Sequence, residues 1–140
     1  MISEPTVLDL SDASKDDLLA DLDAFTSAYL ECALWSTTTC DDDGNMSEAL
    51  DENHDIDDLD LESLKAAISD CTAFQEENAD DLEGLDGAQA GHDFWLTRNG
   101  HGAGFWDRGL GELGERLSKA SKAYGSVDLY VCDGVIYGHR

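Results

Sequence analysis

The stretch HDFWLTRNGHGAGFWDRG, residues 92–109, decides the fold that the sequence predicts. Its segment FWLT at 94–97 is aromatic and rich in β-prone side chains, and Asn99-Gly100 is a strong signal for a two-residue hairpin turn. The segment AGFW at 103–106 predicts a short returning strand. We therefore expect an antiparallel hairpin in this part of the chain.

A second hairpin is predicted further along. Residues 127–131, VDLYV, alternate between apolar and polar side chains, as a half-buried strand does. Asp133-Gly134 predicts a tight turn, and VIY at 135–137 completes the pair. An amphipathic helix at about 110–124 separates the two predicted hairpins.

Two amphipathic helices are predicted in the acidic first two-thirds of the chain. The first spans about 14–35 and begins with Ser14 as its N-cap. Its apolar stripe consists of Leu18, Leu22, Phe25, Tyr29 and Cys32. The second spans about 58–77. The polar connection between them, residues 36–57, includes a short helical turn at about 47–50.

These elements predict one α+β domain over residues 1–140. The order is α-α-β-β-α-β-β, with acidic helices packed against a small antiparallel sheet. Residues 1–90 form the acidic helical part, and residues 91–140 form the charge-neutral ββαββ part. No apolar run is long enough to span a bilayer, and the basic and apolar pattern of a signal peptide is missing.

The net charge of the chain is confined to residues 1–90. This part carries 26 Asp and Glu but only Lys15 and Lys65, whereas residues 91–140 carry six acids and six bases. The whole net charge of −24 therefore lies in the first part. Localised acidity predicts a surface with a target, and such a surface repels DNA and anionic lipid. We therefore expect no direct binding to nucleic acid or membrane.

The spacing of the acids favours a basic groove as their target. Carboxylates one helical turn apart are separated by roughly 6 Å, close to the spacing of successive phosphates along a strand. An acidic helix can therefore occupy a groove lined with Lys and Arg, which is the physical basis of a DNA mimic. The predicted partner contacts are Asp16, Asp17, Asp21, Asp23, Asp41, Asp42, Asp43, Asp57, Asp58, Asp60 and Glu62.

Salt adaptation, general solubility and metal binding compete with a docking surface as causes of the acidity. Salt adaptation predicts acids throughout the chain, and a merely soluble surface needs less charge than this. Metal binding at DDDGN, residues 41–45, fails the EF-hand pattern because Thr39 and Leu50 take its two end positions. We therefore expect no metal and no cofactor, and generic acidity stays open as the alternative.

The cysteines and the glycine-aromatic stretch carry weak catalytic signals. The four cysteines form no CxxC pair and predict reduced thiols, and the histidine spacing does not support a zinc site. His101, oriented by Asp107, would define an acid–base pocket, but no recognisable nucleophile motif accompanies the two residues. A tight hairpin packed over the core is the favoured interpretation, and we expect no enzymatic activity.

Residues 92–109, the helix that follows them and the hairpin at 125–137 resemble the C-terminal halves of small proteins encoded by bacteriophages and prophages. The resemblance covers about the last 50 residues. It implies a phage origin and hence the host bacterial cytoplasm, in agreement with reduced thiols. Small acidic phage proteins often inhibit host defences, and by analogy this chain is expected to do the same.

Two hypotheses of function follow. In the first, the chain is a phage-encoded, non-enzymatic inhibitor that occupies the nucleic-acid-binding groove of a host defence complex as a polyanionic DNA or RNA mimic. The defence complex would be a CRISPR effector or a restriction enzyme. In the second, the chain binds a host replication or transcription factor through the glycine-aromatic turn that contains His101 and Trp106.

Overall fold

The computed structural model describes residues 14–40, 46–49, 55–100, 104–107 and 109–139. Within these ranges the helices are α1 (Lys15–Ala20), α2 (Ala24–Ser36), α3 (Leu61–Glu77), α4 (Ala79–Leu82), α5 (Gly87–Arg98) and α6 (Glu112–Lys122). The strands are β1 (Thr38–Cys40), β2 (Met46–Ala49), β3 (Asp128–Cys132) and β4 (Val135–His139), and 3₁₀ turns span Ile56–Asp58 and Phe105–Asp107. None of these helices has both the length and the apolar composition that crossing a bilayer requires.

The predicted α+β class is confirmed, and the predicted order of elements holds roughly. The helix expected at 110–124 is α6, and the second expected hairpin is the antiparallel pair β3–β4. Its two-residue turn, Asp133-Gly134, has φ angles of 52° and 79°. A tight hairpin turn needs this left-handed pair of residues.

β1 and β2 form a separate antiparallel pair. The helical turn predicted at 47–50 is wrong for 47–49, because these residues belong to β2. A register shift between Thr39 and Cys40 marks a bulge in the pair. The acidic residues 41–45 between the two strands lie outside the described residues.

The helix predicted over 14–35 is in fact two helices. α1 ends at Ala20 with Asp21 as its C-cap, and α2 begins after Asp23. The Asp23 carboxylate accepts a hydrogen bond from the Thr26 backbone N–H at 2.8 Å, which caps α2 and competes with a continuous helix. The carboxylate of Asp21, the C-cap residue of α1, also opposes the dipole of that helix.

The hairpin predicted at 92–109 is wrong, because FWLT at 94–97 lies in α5. Asp86 caps this helix by accepting a hydrogen bond from the Gln89 backbone N–H at 2.9 Å. All four residues of the FWLT segment are buried. A helix surrounded by protein has no polar face, so its period of 3.6 residues cannot be read from the sequence.

Asn99-Gly100, expected to turn a hairpin, ends α5 instead. Gly100 has φ of 71°, and its N–H donates to the Thr97 carbonyl at 3.2 Å, as in a helix C-terminus closed by glycine. Phe105 donates its backbone N–H to the Thr97 hydroxyl at 3.1 Å. The expected strand at 103–106 is therefore wrong for its described residues, which lie at and within a 3₁₀ turn packed on α5.

The core forms where α2 crosses α5. A Cβ atom at Gly91 would lie 2.0 Å from the Phe25 carbonyl oxygen, so glycine permits this close approach of the two backbones. Phe74 of α3 stacks on Phe94 of α5 with ring centroids 4.1 Å apart. The largest buried side chains around the crossing are Phe25, Tyr29, Phe74, Phe94, Trp95 and Phe105.

Arg98, the last residue of α5, joins several elements from inside the protein. Its guanidinium donates hydrogen bonds to the Asp70 carboxylate at 2.9 Å and to the Tyr29 hydroxyl at 3.0 Å. It also donates to the carbonyls of Tyr124 and Gly125. Burial raises the pKa of the Tyr29 hydroxyl, and the nearby guanidinium only partly offsets this. Arg98 is therefore a structural link.

The β3–β4 hairpin docks on the start of α3. The Asp60 backbone N–H donates to the Ile136 carbonyl at 2.8 Å, and the Gly138 N–H donates to the Ser63 hydroxyl at 2.9 Å. Leu59 and Ile136 form a parallel bridge, and both are buried. The sheet is thus attached to an acidic helix, as the sequence predicts.

Candidate protein-binding cleft

α2, the 3₁₀ turn at Ile56–Asp58 and the first half of α5 enclose an open cleft of about 950 Å³. We call it the Trp35 cleft, after the exposed large apolar side chain in its lining. Its lining residues are Ala28, Glu31, Cys32, Leu34, Trp35, Asp55, Ile56, Asp57, Asp86, Ala88, Gln89 and His92. Three separate elements therefore contribute to one concave surface.

Trp35 lies in the last turn of α2 and is 58% exposed. Its ring contacts the His92 ring of α5, with centroids 5.9 Å apart and planes inclined by 37°. The contact covers only part of the indole. An exposed tryptophan beside a concave surface is typical of protein interfaces. Its large side chain supplies much contact area and loses little conformational entropy on binding.

Four exposed acidic residues line the same cleft as this indole, namely Glu31, Asp55, Asp57 and Asp86. The described lining of the cleft contains no lysine or arginine. Because unlike charges attract more strongly in a concave site than on a flat surface, the cleft favours a cationic ligand. An exposed aromatic ring adds a cation–π contribution of its own.

Two of these carboxylates also cap helical turns. Asp86 caps α5, and Asp55 accepts a hydrogen bond from the Asp57 backbone N–H at 2.8 Å. Each carboxylate keeps further acceptor positions beside the one that accepts the cap hydrogen bond. The Glu31 carboxylate makes no hydrogen bond or ion pair with any residue that the structure describes. Asp55 and Asp86 are thus held in position and keep free acceptor positions, and among the described residues nothing occupies the Glu31 carboxylate.

Lys15 connects α1 to the wall of the cleft. Its ammonium group donates a hydrogen bond to the Asp57 carbonyl oxygen. This contact, together with the packing of α1 against α3, brings α1 next to the 3₁₀ turn. α1 carries the exposed acids Asp16 and Asp17. Negative charge therefore extends beyond the cleft along α1.

The predicted contact residues divide into three groups. The members of the first group are exposed. Asp57 lines the cleft, and the others lie on helices or at their ends, namely Asp16, Asp17, Asp21 and Glu62. The side chains of Asp23, Asp58 and Asp60 accept hydrogen bonds from backbone N–H groups at helix starts, so each has a structural role. The last group, Asp41, Asp42 and Asp43, lies outside the described residues, as do His101 and the side chain of Asp107.

Asp23 illustrates how the cap role changes an acid. Burial alone raises the pKa of its carboxyl group, but hydrogen bonds from Thr26 and Gln75 outweigh that effect and leave the pKa below its ordinary value. The Gln75 amide donates to Asp23 at 3.1 Å and thereby joins α3 to the start of α2. Replacing Asp23 would therefore change the fold as well as the charge.

Sequence reasoning missed five residues of the cleft, namely Glu31, Trp35, Asp55, Asp86 and His92. The sequence predicts a helix end at about residue 35, close to the observed end of α2 at Ser36, but it does not indicate that the Trp35 side chain is exposed. Asp86 precedes the hairpin predicted at 92–109, and His92 is the first residue of that hairpin. Both residues approach α2 only because the segment folds as the helix α5. The one signal in the sequence is a cap pattern, Asp86 followed by Gln89.

A second cavity, of about 350 Å³, lies between α2, α3 and the β3–β4 hairpin. Its walls include the buried side chains of Tyr29, Leu30 and Leu59. Among its described lining residues the one carboxylate, Asp70, is paired with Arg98. The second cavity therefore lacks the exposed anchor and the uncompensated charge of the Trp35 cleft.

Within the part of the chain that the structure describes, no three His, Cys, Asp or Glu side chains are grouped so as to hold a metal ion. The chain matches no protein-family model, no curated protein and no solved structure. The chemistry of the cleft therefore carries the functional argument. Its carboxylates and indole are suited to bind a cationic group of another protein.

Proposed function

We propose that this chain is a phage-encoded, non-enzymatic inhibitor that acts in the host bacterial cytoplasm. It docks on the basic nucleic-acid-binding groove of a host defence complex, a CRISPR effector or a restriction enzyme, and replaces the nucleic acid there. The observation that carries the proposal is the Trp35 cleft, whose described lining combines four acidic residues with an exposed indole and holds no lysine or arginine.

The neighbourhood of the few basic residues supports the proposal. Lys15 and Lys65 are the only lysines of residues 1–90, which contain no arginine. The Lys15 ammonium is engaged with the Asp57 carbonyl, and the Lys65 ammonium lies 3.7 Å from the Glu62 carboxylate. These two cations offset only two of the 26 acids of residues 1–90 and leave a net charge of −24, so a partner's basic groove would meet a surplus of carboxylates.

Capture from host lysate tests the proposed partner. The full chain, immobilised, is exposed to lysate at about 50 mM and about 500 mM salt. We expect a nucleic-acid-binding protein that is retained at low salt and released at high salt, because screening weakens charge pairing. Added DNA or RNA should compete with the chain for that protein. Competition is the decisive measurement, since an inhibitor that binds elsewhere would not be displaced.

A pair of matched variants tests the location of the interface. Each variant replaces four exposed acids by their amides and changes the net charge by the same amount. The first carries D16N, D17N, D21N and D57N, and the control carries E112Q, E115Q, D128N and D133N. We expect the first to weaken partner binding by roughly tenfold and the control by less than about twofold. Equal weakening would mean that only net charge matters, and the docking surface would be refuted.

The binding of a replication or transcription factor through the glycine-aromatic turn is the second candidate function. Phe105 of this turn is buried, but Trp106 is 52% exposed and can contact a partner. Trp106→Ala is therefore expected to fold. Full partner binding by this variant, together with loss of binding by Trp35→Ala, favours the inhibitor. The opposite result favours the second function.

A further inference from the structure

The Trp35 cleft is larger than a single ion needs. Its volume of about 950 Å³ lies in the range of sites that hold a side chain or a small molecule. Its walls combine a broad apolar ring with carboxylates on separate elements: Glu31 on α2, Asp86 at the start of α5, and Asp55 and Asp57 at the 3₁₀ turn. A ligand that satisfies all of them is flat, positively charged and rich in hydrogen-bond donors.

We infer that the Trp35 cleft binds the guanidinium group of an arginine side chain, and, resting on the proposed function, that this arginine belongs to the partner's basic groove. The guanidinium stacks on the exposed face of the Trp35 indole. Its edge donates hydrogen bonds to carboxylates of the cleft.

The chemistry of the cleft favours arginine over lysine. A guanidinium is planar and weakly hydrated, so it stacks on an indole and donates to carboxylates in its own plane at the same time. A lysine ammonium is compact and strongly hydrated, and it loses more hydration when it contacts a ring. Glu31 is suited to accept such hydrogen bonds because no described residue occupies its carboxylate.

The surrounding charges do not oppose this binding. Among the described residues, Lys15 hydrogen-bonds a lining residue with its ammonium directed to the Asp57 carbonyl oxygen, and His92 is the basic side chain of the lining itself. Asp86 and Asp55 are held by their cap hydrogen bonds, which lowers the entropy cost of ordering them around a ligand. The site is therefore largely formed before the arginine arrives.

A titration of the full chain with small probes tests the inference without any host protein. The probes are N-acetyl-arginine amide, N-acetyl-lysine amide and N-acetyl-citrulline amide, the last being a neutral analogue of nearly the same shape. The readout is the indole N–H resonance of Trp35 in the ¹⁵N-labelled protein, assigned by Trp35→Phe. We expect saturable shifts at millimolar concentration with the arginine probe, affinity lower by roughly threefold with the lysine probe, and no saturation with the citrulline probe.

Matched variants locate the binding. The double variant E31Q/D86N keeps a capping side chain at position 86 and is expected to weaken arginine binding by about fivefold. The control E112Q/E115Q, on α6, should leave it within about twofold. The indole resonance of Trp106, a residue similarly exposed but outside the lining, should not shift. Equal affinities for the arginine and citrulline probes, or for the arginine and lysine probes, would overturn the inference.

The two proposals fail separately. If the arginine probe binds but lysate capture yields no nucleic-acid-binding protein, the cleft stands and the inhibitor function falls. If such a protein is captured and competes with nucleic acid while the arginine probe does not bind, the function stands and the guanidinium site falls.

Discussion

Single glycines and aspartates determine how closely the helices of this protein approach and where they begin. Gly91 allows α5 to lie against the Phe25 carbonyl, and a Cβ atom at Gly104 would lie 2.2 Å from the Thr97 hydroxyl oxygen. Asp23 and Asp86 start the two helices that cross. Some aspartates of this acidic chain, such as Asp23 and Asp86, therefore serve first of all to build the fold.

Replacing Gly91 by alanine tests the helix crossing. The new methyl group meets a backbone carbonyl that can move only with α2, so we expect the free energy of unfolding to fall by about 2–3 kcal/mol. Urea unfolding followed by circular dichroism measures the change. Gly87→Ala is the control, because nothing lies within 4 Å of its added Cβ atom, and its stability should be unchanged or slightly higher. Similar losses in both variants would contradict the close crossing.

Replacing Asp23 by alanine tests the cap and its pH dependence. The folded-state pKa of Asp23 lies below the unfolded value, so the ionised carboxylate stabilises the fold above about pH 4, and this contribution is lost as the pH falls through the folded pKa. We expect Asp23→Ala to cost about 1 kcal/mol at pH 7 and clearly less at pH 3. Urea unfolding at both pH values gives the difference. Asp21→Ala, at an exposed position, should cost little at either pH, and a constant cost for Asp23→Ala would rule out the cap.

At the scale of elements, periodic segments can be predicted from the sequence and surrounded ones cannot. The stripe of α3 and the alternation of β3 are visible in the sequence because each element has one buried and one exposed face. α5 is buried on nearly all sides over 94–97, so its composition resembles that of a strand. The Asn99-Gly100 pair ends this helix, although the same pair is equally typical of a hairpin turn. The Trp35 cleft could not be predicted, because it exists only when α5 packs as a helix beside α2.

The attachment of the β3–β4 hairpin to α3 gives a prediction at this scale. Ser63→Ala removes the acceptor of the Gly138 N–H, which we expect to destabilise the docked hairpin by about 1 kcal/mol. Hydrogen exchange followed by NMR should speed up at Gly138 more than at residues of the α2–α5 crossing. Ser69→Ala, an exposed position on the same helix, is the control. Exchange that rises equally in both variants would show that the Ser63 contact does not hold the hairpin.

At the scale of the whole molecule, the charge and the core occupy the same elements. α2 and α3 supply much of the core and also carry acids on their outer sides, while the balancing bases lie mostly in residues 91–140. Arg98 compensates Asp70 inside, and Arg116 forms a paired contact with Asp81 outside at 2.9 and 3.1 Å. The remaining acids repel one another across the surface.

This repulsion predicts an unusual response to salt. Between about 20 mM and about 500 mM NaCl, we expect the melting temperature of the free protein to rise by roughly 5 °C, because salt screens the mutual repulsion of the carboxylates. Complexes with the proposed partner should weaken over the same range. Thermal unfolding followed by circular dichroism measures the first effect. A melting temperature that is constant or falls would mean that the surface carboxylates are already compensated.

The capping aspartates both start helices and carry negative charge, and these two roles limit how the sequence of this protein can diverge. Positions 23, 55, 60 and 86 can exchange Asp for Asn, Ser or Thr and keep a helix start, but they do not tolerate Glu, Ala or Lys as readily. If the chain acts as proposed, positions 31 and 57 face the opposite constraint, since the proposed binding needs a carboxylate there but not a particular chain length. Two substitution patterns should therefore emerge among descendants of this gene, one that follows the shape of the side chain and one that follows its charge.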